Sequence, residues 1–206
     1  MIKYAVFDWD GTIADTYPIL YTAYCITAQQ VGVSKPSYEY IKNITGTVQN
    51  KDVMKTLFQN KADEASTFFY NYIEKNHVQN LKLIRGAEEV LKFCRQNHIE
   101  PFLLTNKKQK YLNEELEHFH LQHYFKNIVS AGIYQEDKPH PVACKALFGG
   151  NVPPCGEIIV VGDGGSDIKA AEVYGAKSVI LGTNVKGDYN IQNLIEVIDI
   201  IKGNRS

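Results

Sequence analysis

Short apolar runs recur along the chain with helical patterns between them, and this alternation predicts the architecture. The runs at 2–7, 99–104, 127–131, 158–162 and 178–181 are short and rich in β-branched or aromatic residues, as buried strands are. Helical spacing of apolar positions occupies 86–98, 109–118, 141–147, 166–174 and 191–202. Strands alternating with helices predict an α/β fold: a doubly wound parallel sheet covered on both faces. One stretch breaks the alternation. Between the first and second runs no strand is legible, and 18–31, 38–44, 51–60 and 63–77 all read as helices. That connection is far longer than an ordinary strand-to-helix crossover. The economical expectation is a core domain made of 1–14 and 83–206, interrupted by an all-helical domain over 15–82.

Composition narrows the class. Of 206 residues, 44% are hydrophobic and 22% charged, enough for a normal core without disulfides or a structural metal. A net charge of −1 gives no general basic field for nucleic acid, so no nucleic-acid partner is expected. Cys25, Cys94, Cys144 and Cys155 form no Cys-x-x-Cys pair, and no apolar stretch is long enough to cross a bilayer. The expectation is a cytoplasmic protein with reduced thiols and no membrane partner.

The chemistry gathers where the runs end. If the strands are parallel, their carboxyl ends share one edge, the place where open α/β sheets bind ligands. The first run leads into Asp8-Trp9-Asp10-Gly11-Thr12, and residues two apart leave a strand on the same side. Two carboxylates aimed at one spot repel each other unless a cation or a proton-transfer task relieves them. The duller alternative is that Asp10-Gly11 is only a turn dipeptide. The second run ends in Thr105-Asn106, a hydroxyl and an amide at an expected helix start, suited to an anionic oxygen or simply to a helix cap. After the third run, Lys138 stands in Asp137-Lys138-Pro139-His140-Pro141, and the fourth opens into Gly162-Asp163-Gly164-Gly165-Ser166-Asp167. That last loop lacks the glycine spacing of the nucleotide-phosphate cradles. Its acidic residues suit Mg²⁺, which prefers hard oxygen ligands: Asp8, the carbonyl of Asp10 and Asp163 would form a partial shell.

Four motifs in this order resemble the haloacid dehalogenase superfamily: Asp8-Trp9-Asp10-Gly11-Thr12, Leu103-Leu104-Thr105-Asn106, Lys138-Pro139 and Gly162–Asp167. The resemblance covers the core, and the helical insert is similar to that superfamily's small cap. Phosphoglycolate phosphatase-like and β-phosphoglucomutase-like members are the relatives it suggests. It implies Asp8 as nucleophile, Asp10 as general acid and base, and Thr105, Asn106 and Lys138 around the phosphate with Gly11 and Thr12. Asp8, Asp10, Asp163 and Asp167 would serve the Mg²⁺ site, Asp167 either through a water or by orienting Lys138. Members that attack carbon have no need of the second carboxylate as an acid, so Asp10 favours phosphoryl transfer. The expected activity is phosphatase action on a small phosphorylated metabolite by a monomer or weak homodimer, with a sugar-phosphate mutase as the alternative. A receiver-like phospho-acceptor is a third reading, opposed by the insert and by the Asp163/Asp167 pair.

Other features are expected to be structural. Trp9 should pack away from the acid pair, and Lys107, Lys108 and Lys110 should be a solvated charge run. The cluster of His118, His120 and His123 should be a solvated helix end, and Tyr174-Gly175 a helix-end variation. The segment 43–49 is expected to be a loop over the site.

Overall fold

In the computed structural model, which describes residues 1–45, 50–182 and 185–204, the apolar runs become six parallel strands. They are β1 (Tyr4–Phe7), β2 (Glu100–Lys108), β3 (Ile128–Ala131), β4 (Ile158–Gly162), β5 (Lys177–Leu181) and β6 (Tyr189–Ile191), in the order β3-β2-β1-β4-β5-β6. The first strand in sequence is therefore central, paired with β2 on one side and β4 on the other. Every residue of β4 is buried, as a strand covered on both faces requires.

Alternation divides the core. Val6, Phe102, Leu104, Val129 and Val160 pack on one face with residues of α7 (Pro141–Ala146) and α8 (Gly165–Tyr174). Their strand neighbours Ala5, Phe7, Leu103 and Val161 point the other way and are equally buried. Helices α5 (Ala87–Gln96) and α6 (Gln109–Phe119) lie against β2. Tyr174 does more than end a helix: its hydroxyl donates to the Cys144 carbonyl at 2.7 Å and so ties α8 to α7. Gly175 follows at φ 61°, the left-handed helix end that glycine adopts cheaply.

The C-terminal expectation needs correction. The stretch read as one helix from residue 191 opens instead as edge strand β6, then a 3-10 turn, then α9 (Val197–Ile201). The cause is local. Glu196 Oε1 accepts from the N–H groups of Gln192 and Asn193, both at 2.8 Å, which stops helical structure from extending back. Asp188 pins the start of β6 to β5: its carboxylate accepts from Ser178 N–H and Ser178 Oγ, both at 2.9 Å.

The chain divides into two compact units, residues 1–15 with 82–206, and residues 16–81. The second contains α1 (Tyr17–Gln30), α2 (Tyr38–Thr45), α3 (Asn50–Phe58) and α4 (Ala62–Asn76). Its interior includes Tyr24 and Phe69, whose ring centroids lie 4.6 Å apart, beside Ala23, Ala28, Ala65 and Ile73. In the first unit, the two chain segments that flank the insertion are stitched together. Asp15 N–H donates to Lys82 O and Ile84 N–H to Ile13 O, both at 2.8 Å, across an antiparallel bridge between Ala14 and Leu83.

Candidate active site

Register brings the strand ends to one edge. Phe7 lies opposite Leu103 on β2 and Val161 on β4, so the residues that follow are neighbours: Asp8, Leu104-Thr105 and Gly162-Asp163. The Asp8 N–H continues the ladder to Val161 O at 2.9 Å, which fixes where its side chain emerges. Gly11, at φ 74°, then turns the chain back on itself, with Gly11 N–H donating to Ala14 O and Ile13 N–H to Trp9 O. Thr12 is wholly buried beneath this turn, and its hydroxyl has no hydrogen-bond partner among the described residues.

Lys138 joins the first strand end to the last. Its ammonium lies 2.8 Å from Asp8 Oδ1 and 2.5 Å from Asp167 Oδ1, and it also donates to Leu104 O at 3.1 Å. It is 3% exposed and Asp167 is 1% exposed, so these charges meet in a low-dielectric interior where each depends on the others. Burial works against the Lys138 ammonium, but Asp167 and Asp8 outweigh it and raise its pKa above the ordinary lysine value. For Asp8 it is burial that prevails. Burial pushes its pKa up to about 6, with Asp167 adding to the effect and Lys138 only partly offsetting it. The loop that carries Lys138 is held by Asn106, whose Nδ2 donates to Lys138 O at 2.9 Å.

Asp167 also shapes the turn it belongs to. From the first turn of α8, its Oδ2 accepts from Gly164 N–H at 3.0 Å and Asp163 N–H at 3.2 Å, capping the helix from within. That packing requires a glycine at 162, where a Cβ would stand 1.9 Å from Asp167 Cγ.

Thr105 and Asn106 do not open a helix, as the sequence reading expected. Strand β2 runs on to Lys108, but between Leu104 and Lys108 it advances four residues while β3 advances two, from Val129 to Ala131. Thr105, Asn106 and Lys107 form this bulge, and the helix starts only at Gln109. The Lys107 N–H donates to Thr105 Oγ1 at 3.2 Å, leaving the buried threonine's own proton for another acceptor.

The bulge accounts for a second correction. Lys107 does not belong to a solvated run: its side chain is only 11% exposed, while Lys108 and Lys110 are exposed. Its ammonium pairs with Asp10 Oδ1 at 2.8 Å and Glu115 Oε1 at 3.0 Å. Burial disfavours that charge, yet the two carboxylates prevail and hold the Lys107 pKa above its usual value. Glu115 is itself fully buried, and its Oε2 accepts from the indole N–H of Trp9 at 2.6 Å. Trp9 thus packs inside, as expected, but also anchors a polar chain.

Asp8, Asp163 and Asp167 each offer a carboxylate oxygen within 4.8 Å of the others. Such a compact, hard-oxygen set is of the kind that Mg²⁺ takes, and two of its members are buried, where a divalent charge is most effective. Asp10 instead turns its carboxylate to Lys107, which leaves its main-chain carbonyl as the ligand it would supply.

Thus Asp8, Lys138, Asp163 and Asp167 meet, Asn106 buttresses Lys138, and Asp10 belongs to a neighbouring network with Lys107, Glu115 and Trp9. Those last three were not read as site residues. A signal existed: Leu112, Glu115, Leu116 and Phe119 follow helical spacing, so Glu115 falls on an otherwise apolar stripe. A charge there needs a buried partner. The loop expected at 43–49 is corrected in its described part: 43–45 are the last residues of α2, and 46–49 lie outside the described residues. Exposed His120 takes the left-handed end of α6 at φ 56°.

Residues 5–181 match the family described as haloacid dehalogenase-like hydrolase. A phosphoglycolate phosphatase of Vibrio parahaemolyticus is 27% identical over 187 residues, spanning 86% of this chain and 82% of the relative. A Caldanaerobacter subterraneus protein, provisionally named pyrophosphatase PpaX, is 26% identical over 218 residues, covering 98% and 96%. Among solved structures, a HAD-superfamily hydrolase of subfamily IA from Geobacter sulfurreducens superposes with a TM-score of 0.73 at 24% identity, covering 97% and 96%.

Proposed function

Because this chain belongs to the haloacid dehalogenase-like hydrolase family, we propose that it is a Mg²⁺-dependent phosphatase acting on the phosphomonoester of a small phosphorylated metabolite. The observation that carries this reading is the pairing of a buried Asp8 with a second carboxylate, Asp10, whose ion pair uses one oxygen only. A hydrolase that attacks carbon has no use for that second acid. A phosphatase needs it twice.

In the proposed reaction an Asp8 oxygen attacks phosphorus in line, the P–O ester bond breaks, and Asp10 gives its proton to the departing alkoxide. Water then attacks the aspartyl-phosphate, Asp10 takes its proton, and phosphate leaves with Asp8 restored. Lys138, fixed between Asp8 and Asp167, holds the nucleophile in place and offsets the negative charge that builds on the phosphoryl oxygens. The Thr105 hydroxyl and the amide of Asn106 would orient the same group, and the turn at Gly11 and Thr12 admits it close to the backbone. Asp8, the Asp10 carbonyl and Asp163 would hold Mg²⁺, with Asp167 behind them. When bound, the ion draws anionic nucleophile and anionic substrate together. Residues 15–82 would be the cap that selects the substrate.

The test is release of phosphate from an aryl phosphate with and without Mg²⁺, followed by a panel that includes phosphoglycolate and pyrophosphate. Asp8→Asn should abolish turnover. Equal rates for wild type and Asp8→Asn would refute the assignment.

A further inference from the structure

The chain Asp10–Lys107–Glu115–Trp9 is more than the reaction requires for charge balance. Lys107 reaches Asp10 from the bulge of β2, and its other partner, Glu115, comes from the middle of α6. Glu115 is 1% exposed and is held in turn by the Trp9 indole, from the residue between the two acids. Burying a carboxylate and an ammonium costs several kcal/mol each, repaid only when geometry is good and the remaining donors and acceptors are satisfied. A core that needed only stability would fill this space with apolar side chains. The network instead ends on one oxygen of a half-exposed carboxylate, Asp10 Oδ1, 30% exposed at the side chain. Asp10 Oδ2 has no ion-pair or hydrogen-bond partner among the described residues.

We propose that Lys107 is a positioning residue: clamped by Glu115 and Trp9, it grips Asp10 through Oδ1 so that Oδ2 is presented to the leaving oxygen of the substrate. The inference rests on the phosphatase reading, in which Asp10 protonates that oxygen. Without the clamp, the short Asp10 side chain is free to change rotamer, and proton delivery loses its alignment. Nucleophilic attack by Asp8, held separately by Lys138, is left intact.

This separation can be measured. Leaving groups differ in how much they need a proton: a nitrophenolate departs nearly unaided, whereas an alkoxide does not. The quantity to compare is kcat/KM, which reports the steps up to phosphoryl transfer, for p-nitrophenyl phosphate against an alkyl phosphate such as glycerol 1-phosphate. Lys107→Met should lower kcat/KM for the alkyl ester by about 10²-fold, within the range of general acid catalysis, and that for the aryl ester by less than about 5-fold. Lys107→Arg should restore part of the alkyl-ester rate, and Glu115→Gln should reproduce a weaker form of the same split. Asp10→Asn sets the scale of the full effect. If Lys107→Met fails to fold, the Arg and Gln variants carry the comparison, with thermal melts confirming that they are folded. Equal losses on both esters, or none on either, with Asp8→Asn inactive, would overturn the role of Lys107 alone. An active Asp8→Asn would remove the phosphatase reading and this inference with it.

Discussion

At the scale of single residues, the site is built from charges that would be costly apart. Asp8 illustrates it: burial and Asp167 raise its pKa to about 6 despite Lys138. A carboxyl whose folded pKa lies above its unfolded value binds protons more tightly when folded. In the metal-free protein, stability therefore falls as pH rises from about 4, the unfolded value, through about 6. Asp8→Asn should then melt higher than wild type above pH 6 without metal, and the gap should close toward pH 4. Calorimetry in EDTA across that window tests the sign. Gly162 offers the opposite case. Alanine there would put a carbon 1.9 Å from Asp167 Cγ, so Gly162→Ala should cost about 2 kcal/mol in denaturant melts and displace the carboxylate that steadies Lys138. The acids could be read from the chain because they gather where apolar runs end, and Lys138 because prolines fix the loop that follows the third run. Lys107 could not, because its neighbours Lys108 and Lys110 make it look like part of a solvated cluster, and only the bulge turns it inward.

At the scale of elements, alternating apolar runs made five of the six strands legible, since strands buried on both faces are nearly continuous apolar stretches. The sixth escaped. Tyr189-Asn190-Ile191 is too short and too polar to signal a strand, and it pairs at the edge because Asp188 grips Ser178. That carboxylate's pKa is lowered by Lys177 and by the Ser178 amide. A lowered folded value means its contribution is present above the unfolded pKa and is lost as pH falls through the folded one. Asp188→Ala should cost about 1 kcal/mol at neutral pH, from its hydrogen bonds to Ser178, with the difference from wild type shrinking as pH falls below the ordinary carboxylate range. Urea melts of both proteins across that range check it. The β2 bulge was illegible for a different reason: it depends on register with β3, a relation between distant segments that no local pattern carries.

At the scale of the whole molecule, the insertion was legible as a gap in the strand rhythm, although nothing in the rhythm reveals how its ends are joined. Asp15 and Lys82 leave the first unit side by side, already hydrogen-bonded as neighbours in a hairpin are. Replacing 16–81 with Asn-Gly, the residues of a tight hairpin turn, should yield a folded protein with a single cooperative transition by circular dichroism. The central place of β1 carries another consequence, for synthesis on the ribosome. Tyr4 pairs with Glu100 and Ile158, so the strand that leads into Asp8 emerges before its partners and meets them about a hundred and more residues later. By then the four helices of residues 16–81 have all left the exit tunnel or are leaving it. Nascent chains arrested near residue 120 should resist protease across those helices while the amino-terminal strand is still cut. Throughout that wait the apolar stretch Tyr4-Ala5-Val6-Phe7 lies uncovered, and it is there that a chaperone of nascent chains would find its hold.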